Sequence, residues 1–178
     1  PLAQEAPRVD IIGVAGNHDH DGHVLRSFKA GLTQLSYPIY KALELVCEHT
    51  IPHATWTIPH GVFHVDNIYG SLVLYEHGVG VAVTEQAMKK RKTDRGEQIG
   101  EHIFYFRSAD KHNVSTFNNA QYVVNGAFFG GGSTGSEYSE QMGYHSQAGQ
   151  WLGFHCARTD QRTTLFDSYV IQLGHIGE

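Results

Sequence analysis

Short apolar runs separated by glycine-bearing and polar turns recur along this chain, and most of them alternate apolar and polar positions with a period of two, which predicts strands. Val9 to Ala15 reads as the first. In the stretch TIPHATWTIPHGVFH, Thr50 to His64, two seven-residue units stand in tandem, and a strand from Thr55 onward places Trp56, Ile58, His60, Val62 and His64 on one face. Asp66-Asn67 then reads as a turn, Ile68 to Tyr75 as a strongly β run, and Gly78 and Gly80 as bulges or a tight turn in its continuation. His102 to Arg107 is a clear strand, with His102, Phe104 and Phe106 on one face and Ile103, Tyr105 and Arg107 on the other. Ala120 to Phe129 follows, and Trp151 to Ala157 and Thr163 to Leu173 close the chain as two strands joined by a polar turn.

Helices are expected to be scarce. Tyr40 to His49 is helical by propensity, yet Pro38 and Pro52 confine it and alternation groups Leu43, Leu45 and Cys47, which favours a strand. Glu85 to Glu101 is polar and reads as a loop with one helical turn near EQAMKKRK, and Val24 to Leu35 as a short helix or an irregular arm. The count is eight or nine strands, the pattern of an all-β, single-domain antiparallel β-barrel of about eight strands, with a β-sandwich or jelly roll as the alternative. The domain spans residues 1–178, with 1–8 as a flexible N-terminal segment. Strands apolar on both faces, such as LVLY and IFYF, suit a closed barrel or the inner strands of a homo-oligomer. A barrel of that size has room for one small ligand.

Composition narrows the partners. Charged residues make up 17% of the chain and the net charge is -5, with one short basic cluster at Met88 to Arg95. Nucleic acid is therefore not expected as a partner, because neutralising phosphates needs a broad basic face. No apolar run approaches the roughly 20 residues that span a bilayer, so no membrane partner is expected. The chain begins PLAQEAPRV without an initiator methionine, and Asn113-Val114-Ser115 is a glycosylation sequon at Asn113, which together suggest the secretory pathway. Cys47 and Cys156 are compatible with one long-range disulfide, or with buried free thiols.

Candidate chemistry rests on histidines set among aromatics. The chain has no dinucleotide fingerprint and no G-x-S-x-G elbow, and no cofactor is expected. Candidate acid–base groups are His60, His64, His102, His155 and Asp167, since imidazole titrates near neutrality and a carboxylate can fix its tautomer. Trp56, Phe104, Trp151 and Tyr169 would contact the substrate. His18, His20 and His23 in the GNHDHDG turn are the only candidate metal ligands, and a solvated loop is favoured for them. The glycine run GGGSTGS lacks the lysine of a phosphate-binding loop and reads as a flexible loop.

The segment IYGSLVLYEHGVGV, followed by GEQIGEHIFYF, is similar to the dirigent proteins and allene oxide cyclases, although their later G-G-T-G-x-F segment has no counterpart in NGAFFGGGSTG. The resemblance implies an eight-stranded barrel, often secreted, that shapes a reactive small molecule without a cofactor. The expected function is accordingly a cofactor-free cyclase or lyase acting on a small hydrophobic or aromatic natural product. Alternatives are a secreted lectin-like or lipocalin-like binding protein, and a histidine-ligated metalloprotein.

Overall fold

The computed structural model describes residues 6–16, 34–128, 141, 149–157 and 163–173. Chain contacts divide the protein into two compact units, Pro1–His64 and Val65–Glu178. The described residues form nine strands and two 15-residue helices, with no closed barrel. The protein is therefore mixed α/β with strands predominating, and the all-β barrel expected from alternation is overturned.

The first unit is built around a β-α-β crossover. β1 (Val9–Ile12) and β2 (Ala54–Thr57) pair in parallel, from Val9 opposite Ala54 to Ile12 opposite Thr57, with α1 (Ser36–Thr50) between them in sequence. The strand expected at Tyr40 to His49 is this helix. Pro38 lies in its first turn, where no intrahelical N–H is required, and Pro52 follows its last residues, so the two prolines bracket a helix instead of confining a strand. Apolar residues at 35, 39, 43 and 46 follow helical spacing, but Leu35, Ile39, Leu43 and Val46 are all exposed. The strand expected from Thr55 to His64 is broken after Thr57, and the chain bends at His60, Gly61 and Val62, so the shared face of His60 and His64 does not form.

The second unit centres on a five-stranded sheet of order β3-β4-β5-β7-β6, comprising β3 (Phe63–Ile68), β4 (Ser71–Glu76), β5 (Ile103–Ser108), β6 (Ser115–Phe117) and β7 (Tyr122–Val124). The turn between β3 and β4 is Tyr69-Gly70, both left-handed, and Asp66-Asn67 lies within β3. β4, β5 and β7 run parallel, and β6 pairs antiparallel with β7.

Parallel pairing of β4 and β5 needs a crossover, and α2 (Glu85–Ile99) supplies it where a loop was expected. The Thr84 hydroxyl accepts from the Ala87 amide as an N-cap, and left-handed Gly100 ends the helix. Met88, Lys92 and Gly96, four residues apart, form its buried stripe. Glu76, buried at the end of β4, accepts two hydrogen bonds from Arg95, at 3.0 and 3.1 Å, and faces Arg91 at 3.4 Å, which fastens the helix to the sheet.

A β-bulge decides which side chains face α2. Ile103 pairs with Leu72 and Tyr105 with Val73, so the register skips Phe104, whose carbonyl accepts from the Lys92 ammonium at 3.1 Å. From there Phe106 pairs with Leu74 and Arg107 with Tyr75. Ile103, Leu74, Phe106, Tyr122 and Val124 thus share the helix side of the sheet, and all five are buried. Val73, Tyr75, Tyr105, Arg107 and Val123 occupy the other side.

β8 (Gly149–Ala157) and β9 (Thr163–Gln172) form the antiparallel hairpin expected at the end of the chain. Their register skips Phe166, so Asp167 stands opposite Phe154 while Leu165 stands opposite His155. Cys47 lies half-buried in α1 of the first unit, and Cys156 is exposed on β8 of the second.

Candidate functional site

An arginine on the apolar side of a sheet carries the second unit's distinctive chemistry. Arg107 reaches that position because the bulge at Phe104 places it beside Tyr75 and Val123 on the side away from α2. Its Nη1 donates to the carbonyls of Ala120, Gln121 and Phe106 at 2.9, 3.1 and 3.2 Å. Those bonds brace the turn between β6 and β7, where Asn118, Asn119 and Ala120 are all left-handed and each costs roughly 1–2 kcal/mol outside glycine. Nη1 is fully engaged. Nη2 is buried and has no hydrogen-bond partner, and no carboxylate pairs with Arg107 among the described residues.

Two rings of the sheet and hairpin enclose the guanidinium. Its carbon lies 4.5 Å from the centroid of Trp151 and 5.1 Å from that of Tyr105. The Tyr105 ring also meets His155 edge-on at 5.0 Å, and its hydroxyl accepts from the Leu165 amide at 3.4 Å. Trp151, Gly153 and His155 alternate along β8 and are half-buried, while Leu152, Phe154 and Cys156 between them are exposed. Gly153 sets the indole: a Cβ there would fall 2.1 to 2.8 Å from three of its ring carbons. Asn125, just beyond β7, accepts from the Trp151 amide at 2.8 Å and donates to Gln150 at 2.7 Å. Gln150 in turn donates to the carbonyls of Gly126 and Ala127, both at 3.2 Å.

The seam between sheet and hairpin therefore holds three buried nitrogens without partners: Arg107 Nη2, Trp151 Nε1 and His155 Nδ1. Buried polar nitrogens are ordinarily satisfied, and leaving one unpaired costs about 1–3 kcal/mol. Burial lowers the Arg107 pKa to about 10, against the opposing influence of Tyr75 and Tyr105, so it stays a cation at neutral pH. Burial, and then the neighbouring Arg107 charge, lower the His155 pKa and keep its ring neutral. Burial raises the Tyr75 pKa, so its phenol stays protonated. The result is one cation and two neutral ring nitrogens facing aromatic walls.

Of the candidate residues read from the sequence, Trp151 and His155 come together here. Asp167 and Tyr169 are exposed, and the skipped residue in β9 leaves Asp167 on the other face of the hairpin from His155, so it does not orient that ring. Tyr169 instead packs against Phe154 at 5.4 Å. His102 is exposed and meets Phe104 edge-on at 4.8 Å. It lines a groove of ≈ 350 Å³ at the end of α2 with Lys92, Gly96 and Gly100. Trp56 and His60 belong to the first unit, and His64, its last residue, stands in β3, the strand that continues into the second. His60 is exposed and shares a 2.9 Å hydrogen bond with the Tyr37 hydroxyl, His64 is half-buried in β3, and the Trp56 Nε1 is buried without a partner. Asn113 is exposed, with its side-chain amide donating to the Lys111 carbonyl.

His18, His20 and His23 and the GGGSTGS run lie outside the described residues, as do residues 1–5 of the N-terminal segment. Among the described residues no group of three or more His, Cys, Asp and Glu is placed to hold a metal, and no helix is long and apolar enough to cross a membrane. Arg107, Tyr105 and Gly153 were not singled out from the sequence. The available signal was a lone arginine ending the apolar run IFYFR, and a glycine between Trp151 and His155. Compared with family models, curated proteins and solved structures, the chain gives no match.

Proposed function

We propose that the second unit is a small-molecule-binding module whose ligand is received in the seam between the sheet and the β8–β9 hairpin. One observation carries this reading: three unpartnered nitrogens belong to Arg107, Trp151 and His155, side chains linked by packing of the guanidinium on Trp151 and of both Arg107 and His155 on Tyr105. A structural arginine is satisfied by its surroundings, whereas here Nη1 braces a turn and Nη2 has no acceptor among the described residues. The nitrogens are closed to solvent, so admission of a ligand requires the hairpin to lift. The hydrogen-bonded ties resisting that motion are the amides of Asn125 and Gln150 at one end and the 3.4 Å bond to Tyr105 toward the other.

A cofactor-free catalytic role is the second reading, and His155 favours it. Its neutral ring, beside a fixed cation, is in the protonation state needed to take a proton from a bound acid. Binding without conversion and binding with turnover share the same seat.

The test is thermal unfolding of the full chain against a chemically diverse set of small organic ligands, compared with the Trp151→Phe and Arg107→Gln variants. A ligand that raises the wild-type midpoint and loses most of that effect in both variants supports the seam. Ligands that stabilise all three proteins equally place binding elsewhere and overturn it.

A further inference from the structure

We infer that the ligand of this seam is an aromatic monocarboxylate, its carboxylate held by Arg107 Nη2 and its ring lying among Trp151 and Tyr105. The inference rests on the seam being a ligand seat and adds the charge and shape of what it holds.

Charge comes first. Arg107 is a cation with no carboxylate partner among the described residues, and the ring nitrogens beside it are uncharged at neutral pH, so the seam carries one uncompensated positive charge. A single negative charge neutralises it, while a dianion would bring a second buried charge with no partner.

The donors match a carboxylate as well. Nη1 is consumed by three carbonyls, so the end-on fork through both terminal nitrogens is unavailable, and Nη2 with Nε beside it are left to donate side-on. Trp151 Nε1 and His155, in the tautomer protonated at Nδ1, each add one donor. Two carboxylate oxygens are satisfied by that set. A phosphate brings up to two negative charges, of which Arg107 compensates one. The surrounding surface is flat and aromatic: the indole is held in place by Gly153, and Tyr105 touches both the guanidinium and the imidazole. A planar ring bearing the carboxylate stacks there, where an aliphatic chain would leave the walls partly uncovered.

The experiment is calorimetric titration of the full chain at neutral pH with benzoate, with benzamide as its uncharged isostere, and with inorganic phosphate. Benzoate is expected to bind saturably, at least tenfold more tightly than benzamide and without competition from phosphate. Arg107→Gln should weaken benzoate at least tenfold, and Trp151→Phe, which keeps a ring but removes the donor, several-fold. If Arg107→Gln fails to fold by far-UV circular dichroism, the Trp151→Phe comparison decides. Equal binding of benzamide and benzoate overturns the carboxylate while leaving the small-molecule seat standing. Tighter binding of phosphate overturns the monocarboxylate class. Binding of neither aromatic probe overturns the ligand class and counts against the seat itself.

Discussion

Substituting Glu76 by Gln removes the charge that fastens α2 to the sheet while keeping the side chain's shape. The Glu76 side chain is 6% exposed, and its partners Arg95 and Arg91 are 15% and 29% exposed. Arg95 donates two charge-assisted bonds to it, of the kind that contribute about 1.5–3 kcal/mol each, and breaking a buried pair costs about 3–5 kcal/mol when the surviving charge is trapped. Arg91 and Arg95 regain some water when the carboxylate is gone, so the expected loss is at the lower end, about 2–3 kcal/mol, or roughly 5–10 °C in midpoint for a chain of this size. Urea unfolding followed by far-UV circular dichroism measures it, with an unchanged slope showing that the unfolded state is the same. The double variant Glu76→Leu with Arg95→Met removes the two more buried charges and should recover at least half of the loss, because the remaining Arg91 is 29% exposed and still reaches the Val79 carbonyl. A Glu76→Gln protein within about 0.5 kcal/mol of wild type, a size ordinary for a surface change, would refute the clamp.

Three further outcomes follow from named contacts. Gly96→Ala should destabilise although alanine is the better helix former by about 1 kcal/mol, because its Cβ would meet the Glu101 carbonyl at 2.7 Å; a gain in urea midpoint would contradict that close approach. Gly153→Ala should displace the indole from Arg107, changing the near-UV circular dichroism and weakening benzoate binding several-fold; an unaltered spectrum would show that the ring does not lie over that glycine. His155 has a folded-state pKa below its unfolded value, so protons bind the unfolded chain more readily: stability is full above about pH 6.5 and falls as the pH drops below it toward the lowered value. Replacing His155 by Asn should flatten the stability profile over that interval, and an identical profile in the variant would remove His155 as the group responsible.

The terminal hairpin was read correctly, because Trp151 to Ala157 and Thr163 to Leu173 are adjacent antiparallel strands whose pattern needs no distant partner. The strands at 71–76 and 103–108 were also visible, but their parallel pairing was not, since it depends on α2 crossing between them. That helix hid because its buried stripe is only Met88, Lys92 and Gly96, one of them charged, so its amphipathic signal is weak. Its caps, Thr84 and Gly100, are helix start and stop signals that the sequence does carry. α1 hid for the opposite reason: its apolar residues satisfy both a two-residue and a helical period, and prolines at 38 and 52 suit the ends of a helix as well as the ends of a short strand.

The site was half legible. Trp151 and His155 were visible as an aromatic and a titratable group on one strand face, whereas Arg107 depended on the bulge at Phe104 and on a hairpin folding over it, neither of which strand alternation encodes. The shared face of His60 and His64 failed at a bend that Pro59 and Gly61 themselves advertise.

The most direct test of the ligand seat uses the indole itself. The chain has two tryptophans, so a nitrogen-15 spectrum shows two indole N–H resonances, and the one absent from Trp151→Phe belongs to the seam. On titration with benzoate that resonance should move and saturate while the Trp56 resonance stays in place. A Trp151 resonance that does not move at saturating benzoate would contradict the account.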